Sequence, residues 1–146
     1  MQIGVETSRM VENKRVFVVD EDDINRTVLQ FMLQDDNETH EFATLAAAYA
    51  KGEQGRPDLL LLGLPLLLAG SAALIGEIVA QWPGVRILLV SDAGQERAAL
   101  PFFNSGAHGV LAKPFTVEMV RRKTDVQLGR VVSSLVQLQL VPATTR

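Results

Sequence analysis

Residues 15–23 read Arg-Val-Phe-Val-Val-Asp-Glu-Asp-Asp, and this stretch decides the fold. The apolar run at 16–19 is short, continuous and bounded by polar residues, which is typical of a strand buried on both faces. The apolar residues that follow the acidic run recur at helical spacing: Ile24, Val28, Phe31 and Met32. They predict the buried face of a helix, with Asp22 or Asp23 as its N-cap.

The same alternation continues along the chain. Further strands are predicted at residues 38–42, 59–62 and 85–90, and a turn with a short strand at 106–112. Further helices are predicted at residues 44–51, 74–82 and 95–104, and a last one after Thr116. The polar strand at 38–42 suits a sheet edge. Alternation of buried strands with amphipathic helices predicts an α/β fold, a doubly wound five-stranded parallel sheet in a three-layer sandwich.

Pro101 interrupts the predicted helix at 95–104. Proline lacks an amide hydrogen and clashes with the preceding turn in a helix interior. The helix is therefore expected to be kinked, or to begin near Leu100 with the proline in its first turn.

Length and composition restrict the function classes. A chain of 146 residues, 47% apolar and 21% charged, fits one globular domain. The absence of cysteine excludes disulfides and thiolate metal sites. A net charge of −3, with residues 121–123 as the only dense basic run, argues against a nucleic-acid partner. No apolar leader occupies residues 1–14, and the apolar stretch at 59–69 is too short to span a bilayer, so we expect a cytoplasmic protein without a membrane partner.

Functional groups of such sheets gather beyond the carboxyl ends of the strands. In the predicted order, those ends carry Asp20 and Glu21, Gly63, Ser91 with Asp92, and Lys113.

Four segments resemble the receiver domains of response regulators. Val-Val-Asp-Glu at 18–21 is similar to their acidic pair, and Pro-Asp-Leu-Leu-Leu-Leu at 57–62 to their third strand. Ser91 matches their hydroxyl residue, and the ten residues 106–115 match their Gly-Ala to Lys-Pro-Phe segment. The resemblance covers roughly residues 15–128. It implies the CheY-like, flavodoxin-like (βα)5 fold. It also implies a role in bacterial two-component or phosphorelay signalling, not an enzymatic one. The domain would then lie between an extension at 1–14 and a helical tail at 129–146.

The resemblance also implies roles for the residues beyond the strands. In the family, an acidic pair and a third-strand aspartate hold Mg²⁺, and that aspartate accepts a phosphoryl group. A lysine pairs with the phosphoryl oxygens, and the hydroxyl residue reorients toward them. By position, Asp20 and Glu21 are the acidic pair, Ser91 the hydroxyl and Lys113 the lysine. The acceptor position is Gly63, which has no side chain to phosphorylate.

Other positions depart from the family pattern as well. Asp58 cannot replace the acceptor, because it lies five residues earlier, roughly 16 Å away along the strand. Val110 stands where the family often has an aromatic residue. The chain therefore looks like a pseudo-receiver that needs no cofactor, binds Mg²⁺ at most weakly through Asp20 and Glu21, and acts through a signalling protein partner. Aspartate at position 63 is expected to restore metal binding.

Two other functions are considered. The first is that of a regulatory module cut from a longer output protein, and the second is that of a nucleotide-binding α/β protein. The second is disfavoured, because acidic residues and not a glycine-rich phosphate loop follow the first strand.

Three side chains near the predicted site have open interpretations. Lys113 is expected to pair with Asp20 or Glu21. Asp92 either caps the following helix or places a permanent negative charge near Lys113, which would mimic phosphorylation. His108 is expected to be an exposed turn residue.

Two apolar segments also have open interpretations. Leu64, Leu66, Leu67 and Leu68 form a loop that either exposes a partner-binding surface or folds into the core. Thr124, Leu128, Val131, Leu135 and Leu138 recur at coiled-coil spacing. If the last helix continues through Gly129, this seam either joins two chains in a homodimer, folds back on its own domain, or frays.

Overall fold

Five parallel strands form one sheet in the part of the chain that the computed structural model describes, residues 13–71 and 73–130. The strands are β1 (Lys14–Val19), β2 (Asn37–Phe42), β3 (Leu59–Gly63), β4 (Arg86–Ser91) and β5 (Gly109–Ala112). They lie in the order β2-β1-β3-β4-β5, so the polar strand β2 is at an edge as predicted.

Helices cover both faces of this sheet. They are α1 (Asp23–Leu33), α2 (Leu45–Gly52), α3 (Leu64–Ala69), α4 (Ala73–Gln81), α5 (Leu100–Phe103) and α6 (Val117–Gln127). Alternate residues of β1 enter two separate cores. Phe17 and Val19 face helices α2 to α5, whereas Val16 and Val18 face α1 and α6. The doubly wound α/β fold is confirmed, and no helix of the described residues is long and apolar enough to cross a bilayer.

The face that α1 buries differs from the predicted one. The helix buries Asn25, Leu29 and Leu33, whereas Ile24 and Phe31 are 70% and 69% exposed. This rotation buries the apolar side chains of Leu29 and Leu33, and polar contacts accompany it. The Asn25 side chain donates to Asp20 at the end of β1. The neighbouring Arg26 side chain donates to the Asp20 carbonyl oxygen and to Glu41 of β2. Apolar spacing alone cannot detect contacts of this kind.

The segment after β3 is a helix and not a loop. Pro65 lies in the first turn of α3, where its missing amide hydrogen costs nothing. Leu64 and Leu67 are 2% and 1% exposed and join the core, and Leu66 packs partly against it. Leu68, 55% exposed, is the one leucine of the four that lies at the surface. Of the two alternatives from the sequence, folding into the core is confirmed for Leu64 and Leu67, and a surface formed by several leucines is wrong.

Pro101 divides the fourth predicted helix as expected. A 3₁₀ turn occupies Glu96–Ala99, and α5 begins at Leu100 with the proline in its first turn.

The last helix does not continue through Gly129. Gly129 has a φ of +79°, and the amides of Gly129 and Arg130 donate to the carbonyl oxygens of Val126 and Asp125. This pair of bonds is a Schellman motif, which ends α6 after Gln127. Thr124, the first residue of the predicted coiled-coil seam, is fully buried within the domain. Helix α6 therefore does not continue through Gly129. The helical tail predicted at 129–146 stays a prediction, because Val131, Leu135 and Leu138 lie outside the described residues, as does the extension before residue 13.

Candidate functional site

The carboxyl ends of the strands meet at one edge of the sheet, beside a cleft of about 320 Å³. Asp20 follows β1, Gly63 ends β3, and Ser91 ends β4. Lys113 follows β5, and its amide donates to the Ser91 carbonyl oxygen at 3.0 Å. The cleft is lined by Asp20, Glu21, Asp22, Asn25, Pro65, Val90, Ser91 and Asp92. Gly63 and Lys113 are outside this lining, whereas the other residues predicted for the site reach it.

Asp20 is a buried carboxylate whose oxygens both accept protein hydrogen bonds. The residue is only 2% exposed. Oδ1 accepts from the Asp22 amide at 2.9 Å, and Oδ2 accepts from Asn25 Nδ2 at 3.1 Å. These bonds compensate for the loss of water around the charge, and they hold the carboxylate in one orientation.

Gly63 packs directly against that carboxylate. A Cβ on Gly63 would lie 2.8 Å from Asp20 Cγ and 2.9 Å from its Oδ2. Contacts this short require Asp20 to move. The backbone of Gly63 (φ −59°, ψ 126°) suits any L-residue, so the Asp20 side chain and not the backbone opposes a side chain at this position. Aspartate at this position therefore requires a shift of Asp20, and restored metal binding by such a variant stays a prediction.

Lys113 pairs with Asp92 across the ends of β4 and β5. The distance from Lys113 Nζ to Asp92 Oδ1 is 3.2 Å. The predicted pairing with Asp20 or Glu21 is wrong. Asp20 is buried and already bonded, whereas Asp92 is exposed and within reach.

Asp92 is not a helix cap. The next helical turn has Gln95 at its N-cap position, without a side-chain cap bond, and the Asp92 backbone carbonyl accepts from the Gln95 amide. The Asp92 carbonyl also accepts the hydrogen bond of the buried Ser91 hydroxyl at 3.1 Å. The cap interpretation is therefore wrong, and the alternative, an acid beside Lys113, agrees with the geometry.

The N-cap of α1 is Asp22, one of the two residues predicted for this position. Its Oδ1 accepts from the amides of Ile24 and Asn25 at 2.8 and 3.1 Å. The bond from the Asn25 amide lowers the pKa of Asp22 most, and the Ile24 amide and the charges of Lys113 and Arg26 lower it further. Asp22 is therefore a charged cap at the mouth of the cleft.

The donor set does not fit a tight Mg²⁺ site. Within residues 13–71 and 73–130, no group of three or more His, Cys, Asp or Glu side chains is placed to hold a metal ion. Both oxygens of Asp20 are engaged, and position 63 supplies no third carboxylate. Mg²⁺ requires near-octahedral oxygen ligands at about 2.0–2.1 Å, and Asp20 with Glu21 supplies only part of such a shell.

Two functional contacts of α1 are absent from the sequence prediction. Asn25 is 8% exposed and holds Asp20, and Arg26 donates to the Asp20 carbonyl oxygen at 2.8 Å. Their only signal in the sequence is that two polar side chains occupy the first turn after an acidic run.

His108 lies before β5, at the opposite edge of the sheet from the cleft. Its side chain is exposed, as expected, yet its Nδ1 accepts the Ile87 amide at 2.9 Å. Burial and then the charge of Arg86 lower its pKa below the usual value of 6.5, against the opposing effect of the Ile87 bond. The residue thus supports the β4–β5 pairing, a role that the sequence did not reveal.

The site and the fold together point to a known family. Residues 16–125 match the family model of the response regulator receiver domain. The chain belongs to this family. Receiver domains are signalling modules of two-component systems, and the topology of this receiver domain, with acidic residues after β1 and a lysine after β5, is the one its sequence predicted.

Two curated transcriptional regulators are similar to this receiver domain in sequence. The DNA-binding transcriptional activator DevR/DosR of Mycobacterium tuberculosis is 28% identical over 120 residues, which are 80% of this chain and 55% of that protein. The KDP operon transcriptional regulatory protein KdpE of Escherichia coli is 26% identical over 116 residues, 79% and 51% of the two chains. The chain spans about half the length of these relatives.

Solved receiver domains share its fold. The receiver domain of NtrX from Brucella abortus has a TM-score of 0.69 at 26% identity, over 78% of this chain and 98% of that one. A response regulator from Thermotoga maritima has a TM-score of 0.72 at 19% identity, over 80% and 98%, and shows the fold alone.

Proposed function

We propose that this receiver domain signals through contact with a protein partner and takes no phosphoryl group at the usual site. The observation that carries the proposal is the packing of Gly63. The resemblance places the phosphoacceptor at this residue, which has no side chain, and the carboxylate of Asp20 occupies the adjacent space.

The ion pair of Lys113 with Asp92 supports the same conclusion. By resemblance, this lysine would pair with phosphoryl oxygens, and here it already faces a carboxylate at 3.2 Å. An exposed pair contributes only about 0–1 kcal/mol to stability, so its main effect is to orient Lys113. The lysine is thus held by a permanent negative charge of the chain itself.

The partner is a signalling protein, and Leu68 is the member of the leucine segment that remains available to it. Leu68 is 55% exposed on α3, next to Pro65 and Leu66, whereas Leu67 belongs to the core. A pull-down with the wild-type chain and with Leu68→Asp tests this contact. Equal capture of the same partner by both proteins would remove Leu68 from the interface.

A second candidate is a regulatory module that acts on an output domain of a longer protein. The relatives DevR/DosR and KdpE are about twice as long as the part that this chain matches, and their names describe transcriptional regulators. A comparison of the chain alone with the chain joined to the flanking sequence of its own gene distinguishes this candidate from a stand-alone module.

Nucleotide binding is not proposed. A structure of NtrX from Brucella abortus in complex with ATP is similar to this chain over 29% of that protein. The cleft described here is bordered by Asp20, Glu21, Asp22 and Asp92, whose charges repel a polyphosphate.

Phosphorylation is tested by incubating the full chain with acetyl phosphate and Mg²⁺ and measuring its intact mass. We expect no phosphoryl adduct, whereas a receiver domain with an acceptor aspartate, treated in parallel, gains one. An adduct on the wild-type chain that hydroxylamine removes would be an acyl phosphate and would contradict the proposal.

A further inference from the structure

Strand β5 is the shorter of the two edge strands. It contains four residues, lies at the end of the sheet beside β4, and buries one side chain, that of Leu111. The opposite edge strand, β2, pairs with β1 over six positions. Because few bonds and little buried surface hold β5 in place, it opens at a lower cost in free energy than the central strands.

His108 attaches the start of this strand to Ile87 of β4 through two hydrogen bonds. The His108 amide donates to the Ile87 carbonyl oxygen at 2.8 Å. The Ile87 amide donates to His108 Nδ1 at 2.9 Å, so a ring nitrogen takes the place that a backbone carbonyl oxygen has in an ordinary ladder. Only an unprotonated Nδ1 accepts a hydrogen bond, so the second bond requires the neutral ring.

The surroundings of His108 oppose a positive charge on the ring. Burial and then the charge of Arg86 on β4 lower its pKa. Arg86 Nε donates to Oε1 of Gln127, a neutral side chain that α6 places beside β5, at 3.0 Å. The carboxylate next to Arg86 at the start of β3, Asp58, accepts the Arg15 amide at 2.9 Å. A proton on the ring therefore meets a like charge.

We infer that His108 is a pH switch for the attachment of β5: a proton on Nδ1 breaks the bond from Ile87 and increases the local opening of β5 from β4. The proton turns the acceptor into a donor and places two N–H groups against each other. Ile87 is 0% exposed, so its amide has no water to replace the lost acceptor unless the strand opens.

The other end of the same strand leads to Lys113. Its amide donates to the Ser91 carbonyl oxygen at 3.0 Å, and its Nζ pairs with Asp92 at 3.2 Å. The four residues of β5 put this end only about 13 Å from the start of the strand. Opening of β5 therefore releases Lys113 as well, and acidification alters the surface beside the cleft. The consequence for signalling rests on the proposed function, whereas the pH switch does not.

The test is amide hydrogen exchange by NMR on the full chain between about pH 7.5 and 5, with rates corrected for the intrinsic effect of pH. The reporting amides are those of Ile87, His108 and Lys113. The amide of Asp58, which donates to the Arg15 carbonyl oxygen between β3 and β1, is the reference for opening elsewhere in the sheet.

The matched control is His108→Gln. Its side-chain oxygen is able to accept the Ile87 amide, and it does not titrate. The NMR titration of the His108 ring in the wild type is measured in the same samples. Because the assay contains no phosphoryl donor, its outcome is independent of whether the chain takes a phosphoryl group.

We expect the protection of the three reporting amides in the wild type to fall about tenfold as the pH decreases, the factor that loss of a hydrogen bond of about 1.4 kcal/mol gives. The midpoint of this fall should coincide with the titration of the His108 ring, while the Asp58 amide keeps its protection. In His108→Gln the reporting amides should keep theirs.

Protection that does not change with pH in the wild type would overturn the inference. An equal fall in His108→Gln, or at the Asp58 amide, would overturn it as well, because the opening would then be independent of His108 or would involve the whole domain. A midpoint that differs from that of the His108 ring would assign the opening to another group and has the same consequence.

Discussion

Replacing Gly63 with alanine tests whether the space beside Asp20 is as restricted as the structure shows. The added Cβ would lie 2.8 Å from Asp20 Cγ. Overpacking of this kind costs about 1–3 kcal/mol. The backbone of Gly63 accepts alanine, which returns about 0.4–1 kcal/mol through the unfolded state. We therefore expect Gly63→Ala to lower the free energy of unfolding by about 1–2 kcal/mol.

The assay is urea denaturation followed by the fluorescence of Trp82, the only tryptophan of the chain. Trp82 is 2% exposed and packs against Phe17 and Tyr49, so its emission reports loss of the core. Gly76→Ala is the matched control. A Cβ at Gly76 has no neighbour within 4 Å, and alanine in this helix should raise stability by about 1 kcal/mol.

A double-mutant cycle with Asp20→Ala isolates the cause. Without the Asp20 carboxylate, the collision disappears, and Gly63→Ala should become neutral or stabilising. The coupling between the two positions should exceed about 1 kcal/mol. The reasoning is refuted if Gly63→Ala is as stable as the wild type, or if it has the same cost in both backgrounds.

Three further predictions follow from burial and from the pKa directions. Leu67→Ala should destabilise the fold by about 2–5 kcal/mol, and Leu68→Ala by less than about 0.5 kcal/mol; similar urea midpoints for the two variants would contradict the buried position of Leu67. Neutral His108 accepts the Ile87 amide and has a lowered pKa, so its stabilising contribution is complete above pH 6.5 and is lost as the pH falls below 6.5 toward the folded-state pKa. An NMR titration of His108 with a midpoint above 6.5 would contradict the lowering of its pKa by burial and by the charge of Arg86. The pKa of Asp22 is lowered from 3.8, so the stability difference between the wild type and Asp22→Ala should persist at pH 4–7 and decline only as the pH falls below 3.8; a difference that disappears already near pH 5 would show that the carboxylate is not the cap.

Strand positions and the sheet topology were predictable from the sequence because they depend on local patterns. A continuous apolar run between polar residues, as at 16–19, has no way to expose either face without large cost. Residues such as Thr116, whose hydroxyl caps α6, act within one turn of their own position. The convergence of Asp20, Gly63, Ser91 and Lys113 follows from the parallel topology alone.

Contacts between distant segments decided the rest. The orientation of α1 buries Leu29 and Leu33 beside Asn25, which bonds to Asp20. It leaves Ile24 and Phe31 outside, although their spacing suggested the core. Lys113 pairs with Asp92 because Asp92 lies within reach. The Asp20 carboxylate already accepts hydrogen bonds from Asp22 and Asn25. These choices balance polar bonds against apolar burial over residues far apart in the chain.

The sequence by itself determined that this protein is an α/β receiver domain with glycine at position 63. The tertiary structure decided what that glycine does, since only the folded chain places the Asp20 carboxylate where a side chain at 63 would need to be. The physical reason is that secondary structure and topology depend on local burial patterns, whereas the arrangement of a site depends on close packing between side chains that no local pattern specifies.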